Sequence, residues 1–126
     1  MAFRGSAPDG PGFWFPSTVL ATEDPASVPA WHDEVFGPVV TVAPFDDEAD
    51  AIRIANDTPY GLSGSLWTRD LSRGLRVARA VEAGNLSVNS HSSVRYSTPF
   101  GGFKQSGLGP DALDAFTETK NVFIAT

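Results

Sequence analysis

Short apolar runs alternate with segments of helical period along this chain, and that alternation constrains its fold more than any other feature. Val39-Val40-Thr41-Val42-Ala43 is a compact apolar run of the length of a buried strand. Residues 48–56 carry Ala51, Ile52 and Ala55 at helical spacing, entered from Asp46 and Asp47 and closed by the turn residues Asn56-Asp57-Thr58-Pro59. Residues 61–67 are small and apolar, a strand that fits close against a neighbour. Asp70 caps a second helix in which Leu71, Leu75, Ala78 and Val81 form one apolar stripe, with Arg69, Arg73, Arg76 and Arg79 on the other side. Gly84 stands in the position favoured after a helix, and Leu86-Ser87-Val88 is the next strand. Pro110-Asp111 opens a short helix to Thr117, and residues 121–125 read as a terminal strand. Strands alternating with helices predict βαβ units: an α/β fold with a mostly parallel sheet, flanking helices, and sites at the carboxyl ends of strands.

The first part of the chain is less regular. Residues 1–12 are rich in Gly, Pro, Ser and Asp without a period and read as a flexible lead-in. Phe13-Trp14-Phe15 and Thr18-Val19-Leu20 have strand composition, which Pro16 between them demotes to an edge or bent strand. Residues 30–36 suit a short helical turn stopped by Gly37-Pro38, and Trp14, Trp31 and Trp67 read as packing residues.

Composition removes whole classes of function. A net charge of -6 and a pI near 4.6 leave no basic stripe for nucleic acid or an anionic membrane surface. The Arg69, Arg73, Arg76, Arg79 row therefore reads as a solvated helix face rather than a phosphate comb. The sequence has no cysteine, hence no thiolate, and its two histidines, His32 and His91, make no usual zinc set. His91 reads as an ordinary loop histidine. No apolar run reaches the length that spans a bilayer, and the opening residues lack a signal-peptide core, so a soluble cytoplasmic protein is expected.

The stretch with most chemistry is residues 89–107, entered from the strand ending at Val88. It joins hydrogen-bonding side chains to a Pro99-Phe100 corner and a Gly101-Gly102 pair that lets backbone approach a neighbour closely. It contains no obvious nucleophile, and no phosphate-cradling glycine motif occurs anywhere in the chain.

Four segments in order resemble the C-terminal part of the NAD(P)-dependent aldehyde dehydrogenase superfamily. They are Gly12-Phe13 with Pro16-Ser17-Thr18-Val19-Leu20; Asp33-Glu34-Val35-Phe36-Gly37-Pro38-Val39; Ala55-Asn56 with Tyr60-Gly61-Leu62; and Ala83-Gly84 through Val88-Asn89 to Pro99-Phe100-Gly101-Gly102-Phe103-Lys104-Gln105-Ser106-Gly107. The resemblance implies a partial catalytic domain over 13–109 and a short helix with an oligomerisation-type strand over 110–126. It implies NAD or NADP as cofactor, with Glu34 on the nicotinamide ribose hydroxyls and Phe36 bracing the nicotinamide side. A carboxylate suits the first task because it accepts from two vicinal hydroxyls at once. Val94 and Phe100 fall at positions lining the family's substrate tunnel. Glu118 matches an acidic residue that pairs with arginines at a subunit interface, and Val122, Phe123 and Ile124 match a strand that adds to a dimer-mate's sheet.

Two departures from the family pattern shape the functional expectation. The family's reaction starts from a cysteine thiolate and ends with a glutamate-activated water, and both groups, like the dinucleotide-binding fold, lie upstream of the matched region. No catalytic residue and no metal ligand is assigned here. After Gly109 the chain also lacks about four residues of the family pattern, about one helical turn, which would pull the terminal strand by about 6 Å. The expectation is a truncated family member, inactive alone and not binding cofactor by itself. The alternative is a binding module or split-enzyme subunit that associates as a homo-oligomer, with an upstream half, or with a full-length relative.

Overall fold

The computed structural model describes residues 2–91, 100–107 and 120–125. Its elements, in chain order, are β1 (Phe3–Arg4), β2 (Thr18–Ala21), a 3-10 turn (Pro25–Ser27), α1 (Pro29–His32), β3 (Val39–Val42), α2 (Glu48–Asn56), β4 (Tyr60–Gly61), β5 (Ser63–Leu66), α3 (Leu71–Ala80), β6 (Asn85–Val88), β7 (Phe103–Lys104) and β8 (Asn121–Ile124). The α/β reading holds. The parallel sheet does not form as one piece: the described strands fall into three sheets, ordered β1-β2-β3, β4-β7 and β5-β6-β8. Pairing is parallel for β2 with β3, β5 with β6 and β6 with β8, and antiparallel for β1 with β2 and β4 with β7.

Two compact units divide the chain, Met1–Asp47 and Glu48–Thr126. In the first, β2 and β3 pair in parallel from Thr18 against Val39 to Ala21 against Val42. Three expectations change here. Phe3–Arg4, within the stretch read as a lead-in, forms β1 because Ala2 N–H donates to Val19 O and Gly5 N–H to Ser17 O, each at 2.8 Å. Backbone bonds alone recruit it, which no side-chain pattern announces. Residues 13–15 form no strand; Pro16 donates no backbone bond, pairing starts at Thr18, and Trp14 is exposed rather than packed. The turn expected over 30–36 ends at His32, where Asp33 N–H closes on Pro29 O at 2.8 Å and Asp33 turns extended at φ -91°, ψ 140°.

The second unit holds the core. Ala78, Ala83 and Leu86 are buried together, with Leu66 and Val81 packed against them, and every residue of β6 is buried. The helical period placed α2 and α3 correctly, and the side chain of Asp70 caps α3 by accepting from Arg73 N–H at 3.0 Å. The stripe is shifted from the expected one: Gly74 and Ala78 are its buried members, while Leu71 is exposed. At Gly74 a Cβ would stand 3.3 Å from Thr68 Cγ2 and 3.4 Å from Val88 Cγ1, so this side of α3 faces β6 with little room to spare. Trp67, read as packing, is exposed as well. All four arginines of the row are exposed, and Arg73 and Arg76 bind the carboxylate of Glu48 on α2. The short helix expected after Pro110 and the shortened segment after Gly109 lie outside the described residues.

Candidate functional site

Two places carry the residues singled out by sequence, one in each unit. In the first unit, Glu34 and Phe36 sit on the irregular segment between α1 and β3. Phe36 presents its ring to solvent at 90% exposure, and Glu34 is exposed beside it in sequence. An open carboxylate and an open aromatic ring two positions apart leave both groups free to meet a ligand with hydroxyls and a flat ring. The resemblance assigns these two groups to the ribose hydroxyls and the nicotinamide side of a cofactor, and both side chains are open to solvent.

In the second unit Phe100 is exposed at the head of a segment that is anchored at nearly every following residue. The buried side chain of Asn85 donates to Gly101 O at 2.9 Å and to Leu62 O at 3.3 Å. Gly61 N–H donates to Ser106 Oγ at 3.0 Å, and Gln105 N–H to Pro59 O at 3.0 Å. The close backbone approach read from the glycine pair is present at Gly102, where a Cβ would lie 2.5 Å from Ser106 O. Gly84 is tighter still, for its Cβ would meet Gly101 O at 2.0 Å.

Lys104 closes the assembly. Its Nζ donates to Asn56 O at 2.7 Å and Thr58 O at 3.0 Å, satisfying carbonyls at the end of α2, and pairs with the Glu82 carboxylate at 2.8 Å. Asn56 in turn donates to Ala80 O at 3.0 Å and accepts from Glu82 N–H at 2.8 Å. Asn56, Asn85, Glu82 and Lys104 thus fix the base on which Phe100 stands. Sequence reading passed over their roles, because each bond joins residues far apart in the chain; only the side-chain types, donors next to glycines, hinted at them.

Val94 and Glu118 lie outside the described residues. Val122, Phe123 and Ile124 form β8, which pairs within the chain: Leu86 with Val122, Ser87 with Phe123, Val88 with Ile124. β8 ends its sheet, so its other edge carries no strand among the described residues. Lys120, just before it, donates from Nζ to Ala78 O at 2.7 Å and also to Val81 O, capping α3. Burial lowers the pKa of that ammonium, with Glu82 opposing the shift.

A sequence model of the aldehyde dehydrogenase family matches residues 2–122 of this chain. The chain belongs to the aldehyde dehydrogenase family. It is 41% identical over 123 residues to a phenylacetaldehyde dehydrogenase of Pseudomonas fluorescens, covering 94% of this chain and 24% of that protein. Against an NADP/NAD-dependent aldehyde dehydrogenase of Escherichia coli it is 43% identical over 112 residues, covering 86% of this chain and 22% of the relative. A crystal structure of a Mycobacterium tuberculosis aldehyde dehydrogenase complexed with NAD+ superposes with a TM-score of 0.78 at 39% identity, over 86% of this chain and 22% of that one. The chain therefore spans about a quarter of the length of the aldehyde dehydrogenases it matches. Among the described residues no helix is long and apolar enough to cross a membrane, and no group of His, Cys, Asp and Glu side chains is gathered to hold a metal ion.

Proposed function

We propose that this chain supplies the cofactor-bracing and substrate-lining part of an oxidoreductase that converts aldehydes to carboxylic acids with NAD or NADP in the cytoplasm, and that these 126 residues alone perform no turnover. The observation that carries the reading is family membership across residues 2–122 in a sequence with no cysteine. The cofactor, when bound, accepts a hydride from the substrate. Glu34 accepts hydrogen bonds from the ribose hydroxyls, and Phe36 braces the nicotinamide side. Val94 and Phe100 wall the carbon chain of the aldehyde. The attacking thiolate and the base that activates water come from another polypeptide segment.

A second reading, that the chain is a binding module or split-enzyme subunit, is favoured by the place of β8 at the end of its sheet among the described strands. A partner strand added there, in a second copy, an upstream half or a full-length relative, would gain a row of backbone hydrogen bonds, with Glu118 pairing across the contact. One experiment addresses both. The purified chain incubated with NAD or NADP and short aldehydes is expected to give no reduced cofactor above a blank. Co-expression with the upstream half of a relative is expected to restore it, and Glu34→Gln in that complex to weaken cofactor binding several-fold. Turnover by the chain alone would overturn the first reading, and a monodisperse monomer unchanged on mixing with the upstream half would overturn the second.

A further inference from the structure

The chain leaves β6 toward Val94 through a turn built from specific bonds. β5 and β6 run parallel and end side by side at Leu66 and Val88, the carboxyl ends at which parallel sheets place their sites. Just beyond, Asn89 N–H donates to Leu66 O at 2.8 Å, and the Asn89 side chain accepts from Thr68 N–H at 2.9 Å. Asn89 has a φ of 56°, in the left-handed region that asparagine tolerates better than most residues with a Cβ. That turn brings His91 to β5, where its Nδ1 lies 3.1 Å from Ser65 Oγ, a partner 26 positions earlier in the chain. A serine hydroxyl donates to a neutral Nδ1 and accepts from a protonated one, so the contact persists through titration of the ring.

The contact belongs to one face of the sheet. Residues paired across strands share a face, so Ser65 with Ser87 and Ser63 with Asn85 lie on one side, while Leu66 and Val88 lie on the other, toward Gly74 of α3. On the serine side, the Asn85 amide also holds Gly101 O at 2.9 Å. Residues 89–101 are therefore fastened at both ends to the same face, by His91 on Ser65 and by Gly101 on Asn85. Val94 follows the first anchor by three positions in the sequence, and Phe100 directly precedes the second. Two fixed ends restrict what lies between them more than one does. Ser65 and His91 are both exposed, so their bond adds little to the stability of the fold, and its consequence falls on the segment it fastens.

We propose that His91 and Ser65 are positioning residues for the substrate wall: their bond sets where the segment bearing Val94 stands, and thereby which aldehydes the wall admits. They act through Val94 and Phe100, so the proposal rests on the reading of those two residues as that wall. In the chain co-expressed with the upstream half of a relative, kcat and KM are measured for benzaldehyde and for acetaldehyde. Ser65→Ala and His91→Phe are each expected to raise the KM for benzaldehyde at least threefold with kcat within twofold. The KM for acetaldehyde, whose carbon chain is too short to extend along the wall, is expected to stay within twofold. The double variant is expected to do no more than either change alone, because both remove the same bond. His91→Asn keeps a polar atom at the place of Nδ1 and is expected to restore the KM. Where circular dichroism shows His91→Phe to be misfolded, Ser65→Ala and His91→Asn are read alone. An unchanged KM for benzaldehyde in the folded variants, additive losses in the double variant, or equal losses for both aldehydes overturns the proposal. If the unaltered complex gives no reduced cofactor, the reading of the chain as part of an oxidoreductase fails instead, and positioning is read on the chain alone from the NMR order parameters of the Val94 methyl groups. These are expected to fall in Ser65→Ala and His91→Phe and to recover in His91→Asn; equal values in all four proteins overturn the proposal on that readout.

Discussion

Lys104 combines a backbone cost with a side-chain gain. Its φ of 53° lies in the left-handed region, which disfavours a side chain by about 1 kcal/mol. Its ammonium repays this through two carbonyls at the end of α2 and the carboxylate of Glu82. Lys104→Met keeps the backbone cost and loses all three partners, so it is expected to destabilise the chain by about 2 kcal/mol. Lys104→Gly loses the same partners but relaxes the backbone, so about 1 kcal/mol is expected. Urea unfolding of the two variants checks the order. Equal losses, or a larger loss for glycine, would show that the left-handed turn carries no cost here. Nothing in the local sequence marks Lys104 for this work, since its two carbonyl partners lie more than forty positions earlier and Glu82 more than twenty. Glu34 and Phe36 differ in kind: their exposure gives no structural reason for their identity, and only the family match singles them out.

At the scale of elements, α2 and α3 are held by one carboxylate between two guanidiniums. Arg76 donates to Glu48 at 2.9 Å through both Nε and Nη2, and Arg73 Nε donates at 3.1 Å. Hydrogen bonding from Arg76 holds the Glu48 carboxyl below its ordinary value of 4.5 against desolvation, the next largest effect, and the charges of Arg76 and Arg73 add to the lowering. In the folded chain the group thus stays ionised to lower pH than in the unfolded one. Its contribution is complete above the unfolded value and disappears as pH falls through the lower folded value. Thermal unfolding followed between about pH 5 and about pH 3 should show the midpoint falling, with part of that slope removed in Glu48→Gln. An unchanged slope would mean that the contact is too well solvated to matter, as many exposed ion pairs are. Both helices were legible in the sequence because period and cap agree. The strands were less so: β3 reads as buried from Val39 to Ala43, and the fold leaves Val40 and Val42 open. Pattern reports what a segment needs, and only packing shows whether the need is met.

Across the whole molecule, burial is unevenly spread. Ala78, Ala83, Leu86 and Val88, the buried apolar residues described, all belong to the unit Glu48–Thr126. In Met1–Asp47, Thr18 is the buried residue among those described. Native-state hydrogen exchange is therefore expected to be slowest in β6 and faster by orders of magnitude across β1, β2 and β3. Equal protection in the two units would refute this division of stability. The same imbalance explains what the sequence concealed. Its apolar content is ample for a single core, yet the structure concentrates that core around β6, so composition overstated how much of the first unit is covered.

The contact between Gly84 and the carbonyl of Gly101 also speaks to the history of the gene. A single base change that alters a glycine codon's meaning creates a stop codon or a residue bearing a Cβ, and at position 84 that atom would lie 2.0 Å from a backbone oxygen. A polypeptide still required to fold would hold glycine here while its surface diverged, whereas a gene freed of that requirement would change this codon as readily as any other.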